Sequence, residues 1–290
     1  MTCYFGPMEK FNLEIDTNIG SFLEKAGDFL NRESGIHSFL LSLSQRYKDS
    51  GKSVHFAARA LDQSGKLRIV GMQTESNRPM IISKSPAGDT SLFAELLSDQ
   101  LEALPGVNGP VPGIDAFAET WKAKKRCQLK LILNLRLFEL NKVKEPQKAP
   151  GFFRPAEASD EEVLFKWLIA FHNEAVPHDP MSSPEDRYRL IRDGTKKSQW
   201  FVWEDNGACV CLLGSMRETD TERWIAPVYT PPELRGRGYA SSLVAAVSQR
   251  IVDSGKKGML FTDLTNPTSN SIYSAVGYQP MIDFKHINFC

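Results

Sequence analysis

Arg235-Gly236-Arg237-Gly238 runs directly into Tyr239-Ala240-Ser241 and then into a stretch in which Ala240, Leu243, Val244, Val247 and Ile251 share one helical face. Two glycines and two guanidinium groups therefore stand at the mouth of a helix. Unbonded N–H groups and the positive end of the helix dipole collect there. Glycine lets an oxygen approach the backbone and lets the chain turn through positive φ. Arg235 and Arg237 add charge-assisted donors beside the same spot. The chemistry this suits is the binding of a phosphate or diphosphate. Neither GxxxxGK[ST] nor GxGxxG is present here, so a structural turn stands as the alternative reading of these four residues alone.

Proton transfer needs carboxylates or phenols near such a site. Glu218, Glu222 and Asp263 fall near the ends of expected strands, where each would serve as a general base or simply as a solvated surface carboxylate. His172, Glu174, His178 and Asp179 cluster in "FHNEAVPHDP", but the two histidines lie across a proline loop and lack the HExxH spacing, so no metal is expected. The five cysteines, Cys3, Cys127, Cys209, Cys211 and Cys290, are odd in number and form no CxxC pair. That usage points to reduced thiols and a cytoplasmic setting. Lys+Arg and Asp+Glu both total 35 in this chain, which argues against nucleic acid as a partner and leaves "WKAKKRCQLK" as a solvated helix end. No apolar run approaches the roughly 18 residues that would span a membrane.

The elements that must position these groups fall into two halves. A chain of 290 residues exceeds one ordinary core. The charged, proline-containing "KVKEPQKAPG" reads as a linker, giving domains at 1–141 and 152–290 around a 142–151 connection. In the second half "GFFRPA" is a strand. Ser159 and Glu162 have capping-box spacing before a helix with Leu164, Trp167, Leu168 and Phe171 on one face. A helix over 183–194 follows, then a hairpin turning at Asp205-Asn206-Gly207 and a strand "RWIAPVYT". The glycine-turn helix, a buried strand "GMLFTDLT", a short helix stopped at Gly277 and a closing strand complete the order β-α-α-β-β-β-α-β-α-β. The first half runs similarly. It has a strand "FNLEID", helices near 19–33 and 37–49, a hairpin at Ser64-Gly65 and a strand "PMIIS". A helix marked by Phe93, Leu96, Leu97, Leu101 and Leu104, a second helix "GIDAFAETWKAKK" and a strand alternating from Leu129 to Leu137 follow. The parallel suggests a diverged duplication, with Gly71 matching Gly214.

Arg235-x-x-Gly238-x-Ala240 resembles the coenzyme A diphosphate loop of the GNAT superfamily of CoA-dependent N-acyltransferases, and "VYTPPELRG" resembles the strand that leads into it. About thirty residues on, Asn266, Tyr273, Gly277 and Tyr278 resemble that superfamily's Asn-x6-Tyr…Gly-(Phe/Tyr) signature. The resemblance implies an α+β protein of tandem GNAT-like mixed β-sheet domains with flanking helices. It implies an acetyl-CoA-dependent N-acetyltransferase moving an acetyl group to a primary amine of a small molecule or peptide by direct attack, without a metal. An amino-acid N-acyltransferase using bulkier acyl-CoAs and a non-turnover CoA-binding module are the alternatives. Tyr273 is expected to protonate the leaving thiolate and Glu222 to act as base. The resemblance also puts His172, Glu174, His178 and Asp179 where the family's helix 1–helix 2 connection lines the acceptor site, with ordinary loop polarity as the other reading of that cluster. Val228, Tyr229 and Thr230, the run Arg235, Gly236, Arg237, Gly238, Tyr239, Ala240 and Ser241, and Asn266 and Asn270 are expected to hold the cofactor. The first half has "KSPAGDTS" where its own loop should stand, so its cofactor site is expected to be degenerate.

Overall fold

The computed structural model describes residues 11–16, 18–177 and 181–290; Cys3, His178 and Asp179 lie outside them. Two compact units result, one taking the chain up to Arg136 together with Ile282–Cys290, the other Leu137–Met281.

The first unit opens with β1 (Asn12–Ile15), α1 (Ile19–Asn31), α2 (Ser34–Asp49), β2 (Phe56–Leu61), β3 (Leu67–Gln73) and β4 (Met80–Ile82). It continues with α3 (Ala87–Gln100), β5 (Gly106–Pro110), α4 (Gly113–Lys125) and the start of β6 (Leu129–Leu140). Neighbouring strands alternate their side chains between two faces, as the pleat requires. Ala57, Val70, Met72 and Ile81 pack with Phe22, Leu30 and Leu40 of α1 and α2. The adjacent Ala58, Ile69 and Ile82 pack with Phe93, Phe117 and Trp121 of α3 and α4. Asn18 caps α1 by accepting the Ser21 N–H at 2.8 Å. The β2–β3 hairpin turns where expected, with Gly65 at φ 81° and Asp62 accepting the Ser64 amide at 3.0 Å. One expectation changes here. α3 stops at Gln100, and Leu104 reaches the core from the following connection. The glycine-rich 106–110 segment forms β5, and its glycines mark close approach: a Cβ at Gly106 would meet the Ile287 carbonyl at 2.5 Å and one at Gly109 the Ile82 side chain at 2.7 Å.

The second unit contains β7 (Phe152–Pro155), a 3-10 turn (Ala158–Asp160), α5 (Glu161–Ala175), α6 (Pro184–Lys196), β8 (Trp200–Asp205) and β9 (Ala208–Gly214). Then come β10 (Glu222–Trp224), β11 (Val228–Tyr229), α7 (Tyr239–Asp253), β12 (Lys257–Asp263), α8 (Pro267–Val276) and only the start of β13 (Gln279–Phe289). The same alternation recurs. Trp200, Val202 and Leu212 pack with Leu164 and Ile191 of α5 and α6. Phe201, Trp203, Cys211 and Leu213 pack with Leu243, Val244 and Val247 of α7. The hairpin turns at Asn206 (φ 50°) and Gly207 (φ 76°), both left-handed as a two-residue turn demands. The cap of α5 lies upstream of the expected Ser159–Glu162 pair. Because a 3-10 turn precedes the helix, Glu157 and Asp160 form the box, with the Glu157 N–H on Asp160 Oδ2 at 2.7 Å.

The expected domain division also needs correction at two places. Residues 282–290 fold with the first unit, where β13 pairs antiparallel with β5 from Phe284↔Pro110 to Asn288↔Gly106. The 142–151 segment is no free linker. Ala149 is buried and donates its N–H to Ser242 Oγ at 2.9 Å, and the Pro150 carbonyl accepts Trp203 Nε1 at 2.7 Å. Backbone bonds hold a segment that has no hydrophobic period.

His37 supplies a pH-dependent clasp in the first unit. Its Nδ1 sits 2.9 Å from the Leu30 carbonyl, and its Nε2 accepts the Lys84 N–H at 3.0 Å, which fixes the neutral tautomer. Burial lowers its pKa below the usual 6.5, against the opposing pull of the Leu30 carbonyl. Above pH ~6.5 the ring is neutral in both the folded and unfolded chain; below it the unfolded chain takes up the proton first. Stability should therefore decline as pH falls through the 6.5 region, and Tm measured from pH 8 to pH 5 should show it. His37→Leu should remove that decline. It should also cost about 1–3 kcal/mol at pH 8 by stranding the Lys84 amide.

Candidate functional site

The strand expected over 223–230 does not run as one strand. β10 pairs parallel with β12, through Glu222↔Lys257 and Trp224↔Met259. β11 instead pairs antiparallel with β9, through Val228↔Leu213 and Tyr229↔Leu212. The transfer occurs within two residues: Ile225 N–H donates to the Met259 carbonyl at 2.9 Å, and Ala226 N–H to the Gly214 carbonyl at 2.9 Å. Pro227 has no N–H to give either ladder. β11 and β12 part from this point, and the backbone of Val228–Thr230 lines the opening.

Directly beyond lies the glycine turn. Gly236 and Gly238 adopt φ of 78° and 81°, and Gly238 is the N-cap of α7. A Cβ on Gly236 would meet nothing within 4 Å, and one on Gly238 would lie 3.7 Å from Ala149 Cβ, an ordinary contact. The left-handed backbone demands glycine at both positions, and lack of room does not. The amides of Tyr239, Ala240 and Ser241 have no partner four residues back inside the helix. They face a cavity of about 550 Å³ with Val228, Tyr229, Thr230 and the whole 235–238 turn. Asn266 and Tyr273 of the α8 region complete that wall, while Phe171, Glu174 and Ala175 of α5 form another.

The expected binding residues come together here with one exception. Asn270 does not line the cavity; its Nδ2 donates to the Asp263 carbonyl at 3.2 Å. Asn266 lines it but spends its side-chain oxygen capping α8 through the Ser269 N–H at 3.0 Å. The Tyr239 phenol is turned to the β8–β9 hairpin, donating to Asp205 Oδ2 at 2.6 Å, a bond that raises its pKa. The Thr230 Oγ1 is buried against the Cys211 thiol. Burial pushes the neighbouring Cys211 thiol up to about 12, with the Thr230 hydroxyl pulling the other way. Burial likewise raises the Tyr273 phenol, and the Cys211 thiol adds to the effect. Tyr273 meets Tyr278 edge-on at 6.0 Å.

The three carboxylates weighed as a base are held elsewhere. Glu222 is buried on β10, where its backbone N–H bonds Thr219 Oγ1 at 3.0 Å and its carboxylate accepts that same hydroxyl. Glu218 pairs with Lys256 and with Arg223 at 3.7 Å. Asp263 Oδ1 accepts the Thr265 N–H and hydroxyl, each at 2.7 Å. None of them lines the cavity. The expectation for Glu222 is thereby corrected: a strand-end carboxylate here closes its own turn. Glu174 does line the cavity. Tyr229 Oη donates to its Oε1 at 3.0 Å, and Arg235 Nη2 to its Oε2 at 2.6 Å. Its signal in the sequence was the apolar stripe Trp167–Phe171, which Glu174 extends by one more turn of α5. Among the described residues no group of three or more His, Cys, Asp or Glu is placed to hold a metal ion, and no helix is long and apolar enough to cross a membrane.

Residues 212–286 match the family model described as FR47-like protein. No curated protein matches the chain. Solved structures do. A GNAT-family acetyltransferase from Colwellia psychrerythraea is 9% identical, with 96% of this chain and 98% of that one covered at a TM-score of 0.61. A GCN5-related N-acetyltransferase from Sphaerobacter thermophilus is 14% identical, with 96% and 95% covered at 0.62. A tandem GNAT protein from the clavulanic acid biosynthesis pathway is 10% identical, with 96% and 98% covered at 0.52. At these identities the likeness is one of fold, and it extends over both halves.

Proposed function

We propose that this chain, which has the tandem GNAT fold, is an N-acetyltransferase that moves the acetyl group of acetyl-CoA to a primary amine by direct attack, using one site in its second unit. The observation that carries this reading is the parting of β11 from β12 beside the glycine turn. An open backbone groove there leads from a helix end with unpaired amides to the half-buried phenol of Tyr273.

The residues present fit the cofactor. The α7 amides, left without partners inside the helix, suit its diphosphate together with Arg235 and Arg237. Acetyl-CoA bound there would supply a thioester whose acyl carbon is open to an amine. Val228 and Tyr229 offer backbone groups along the groove, which orient the acyl arm. Tyr273, raised by burial, keeps the proton on its Oη throughout the neutral range; it would give that proton to the departing sulfur and take back the one shed by the newly acylated nitrogen, so the phenol is restored. The apolar Phe171 and Ile272 walls limit water at that point.

The described residues of the first unit form no second copy of this site, for two reasons. Its β4 is bonded on both edges, Ile81 pairing with Met72 on one side and Asn108 on the other, so no groove opens. The first turn of its α3 holds Asp89, a buried carboxylate 3.0 Å from Arg68 Nη2, where an incoming phosphate would need room and positive charge. Calorimetric titration with CoA should therefore give one equivalent per chain, and two equivalents would contradict the assignment.

Two substitutions test the site itself. Gly238→Val forces a β-branched residue into a φ of 81°, re-aiming the turn's amides; CoA should bind at least about tenfold more weakly while the far-UV spectrum is kept. Tyr273→Phe keeps the ring against Tyr278 and removes the donor. Thiol release from acetyl-CoA with a panel of primary amines should then fall by about 10²–10⁴-fold at unchanged CoA affinity. A Phe variant turning over at the wild-type rate would assign Tyr273 to packing alone.

A further inference from the structure

We infer that Glu174 receives the ammonium of the acceptor amine, and that it is released for this only when the cofactor's diphosphate draws Arg235 away from it. The inference rests on the acetyl-CoA reading above.

Among the described residues lining the cavity, Glu174 is the single acid, and Arg235 and Arg237 are the cations. An amine acceptor is a cation at neutral pH, so it needs a carboxylate; Glu174 is the one that this wall presents. Its two oxygens already hold a cation and a hydroxyl, Arg235 Nη2 at 2.6 Å and Tyr229 Oη at 3.0 Å. A carboxylate saturated by a guanidinium and a phenol is a preformed site for an alkylammonium of similar charge. What blocks it is Arg235.

Arg235 has a second claim on it. It immediately precedes Gly236, so its guanidinium serves the same anion as the amides of the glycine turn. Its Nε is tethered to the Thr230 carbonyl at 2.9 Å, and its Cζ lies 5.7 Å from the centre of the Tyr229 ring. The Nη ends can pivot about that tether between the carboxylate and a phosphate. The side chains of Arg235 and Glu174 are 48% and 44% exposed, and a pair so wetted is weak. A diphosphate, with more charge and a geometry that accepts two N–H donors at once, outcompetes it. Glu174 is then left facing Phe171 and the Tyr229 phenol without a counter-charge, and the acceptor ammonium restores one. Before loading, Glu174 competes with the cofactor. After loading, it recruits the acceptor.

The test is a set of four proteins: wild type, Glu174→Gln, Arg235→Gln and the double variant, each titrated with CoA by calorimetry at fixed ionic strength. Glu174→Gln should bind CoA about threefold to tenfold more tightly than wild type, because the resident competitor is gone. In the Arg235→Gln background the same change should alter affinity less than about twofold. In thiol-release assays with acetyl-CoA, the amine that wild type uses best should show a KM at least about tenfold higher in Glu174→Gln, with kcat changed less than about threefold. Glu174→Asp should recover part of that loss. Equal CoA affinity and equal amine KM in wild type and Glu174→Gln, with matching Tm, would overturn this inference and leave the cofactor site standing. Weaker CoA binding in Glu174→Gln would overturn it too, by showing that the ion pair supports the loaded site. A wild-type protein that binds no CoA would instead overturn the acetyl-CoA reading itself.

Discussion

The second unit is organised around a close crossing of backbone at Gly214. The chain leaving β10 passes directly over the end of β9, with Ala226 N–H on the Gly214 carbonyl at 2.9 Å and Gly214 N–H on the Pro227 carbonyl at 2.8 Å. A Cβ at position 214 would stand 2.8 Å from the Ala226 carbonyl, 3.0 Å from Pro227 Cδ and 2.7 Å from the Trp200 ring. Only glycine permits that approach. Because the crossing transfers the chain from β12 to β9, it leaves two strand edges parted, and parted edges carry backbone groups that must find water or a ligand. The cavity exists as a consequence of this hydrogen-bond transfer. Gly71 holds the matching place in the first unit, where a Cβ would meet Met80 Sδ and the Phe93 ring at 2.9 Å, yet there β4 keeps both neighbours. Close packing at a strand glycine is shared between the units. The opening is not.

The electrostatics diverge at the corresponding helix ends. α3 begins with Pro86 as N-cap and places Asp89 in its first turn, so the positive end of the helix is answered from within the chain. α7 has no acid in its first turn, and the guanidinium groups of Arg235 and Arg237 stand just before it on the cavity wall. Equal totals of 35 basic and 35 acidic residues conceal this contrast, since what matters for an anion is which sign stands within a few ångströms of unbonded amides. One helix end is closed by its own carboxylate, and the other is held open by cations, of which Arg235 has the weakly held surface acid Glu174 as its ionic partner.

Much of this was legible in the residues because it depends on local rules. The two-residue turn at Asn206-Gly207, the helix faces of α5 and α7 and the presence of the long strand β6 all follow from periods and turn chemistry that neighbouring residues carry, although β6 does not alternate in burial and leaves Leu131 exposed. The glycine turn could be read as an anion site for the same reason. What stayed hidden depends on residues far apart in the chain. Pairing decides that 222–229 is two strands on different partners, that 282–290 joins the first unit and that 142–151 is bonded down. The fate of Glu222 illustrates the point at one side chain. Sequence places a carboxylate at a strand end, but the Thr219 hydroxyl three residues earlier captures it. Glu174 is legible only in part: the helical stripe places it on the face of α5, but its partners Tyr229 and Arg235 are 55 and 61 residues away, so their pairing could not be read locally.

The same packing that folds the second unit also sets the chemistry available at Tyr273. Its ring is part of the apolar cluster built by Cys211, Tyr239, Leu243, Val244 and Val276. A phenolate there would lose its hydration without gaining a cation, so burial holds the group protonated; the Cys211 thiol, itself pushed up to about 12, offers no positive charge to reverse this. Tyr278 is raised for the same cause, but its hydroxyl is bound to Ser248 at 2.9 Å and is committed to the core. Two phenols in one apolar cluster thus divide by hydrogen bonding. Tyr278 closes the packing, and Tyr273, which alone of the two lines the cavity, keeps a proton it can give. The acid needs no charged neighbour to stay protonated: the hydrophobic core that stabilises the unit also keeps it neutral.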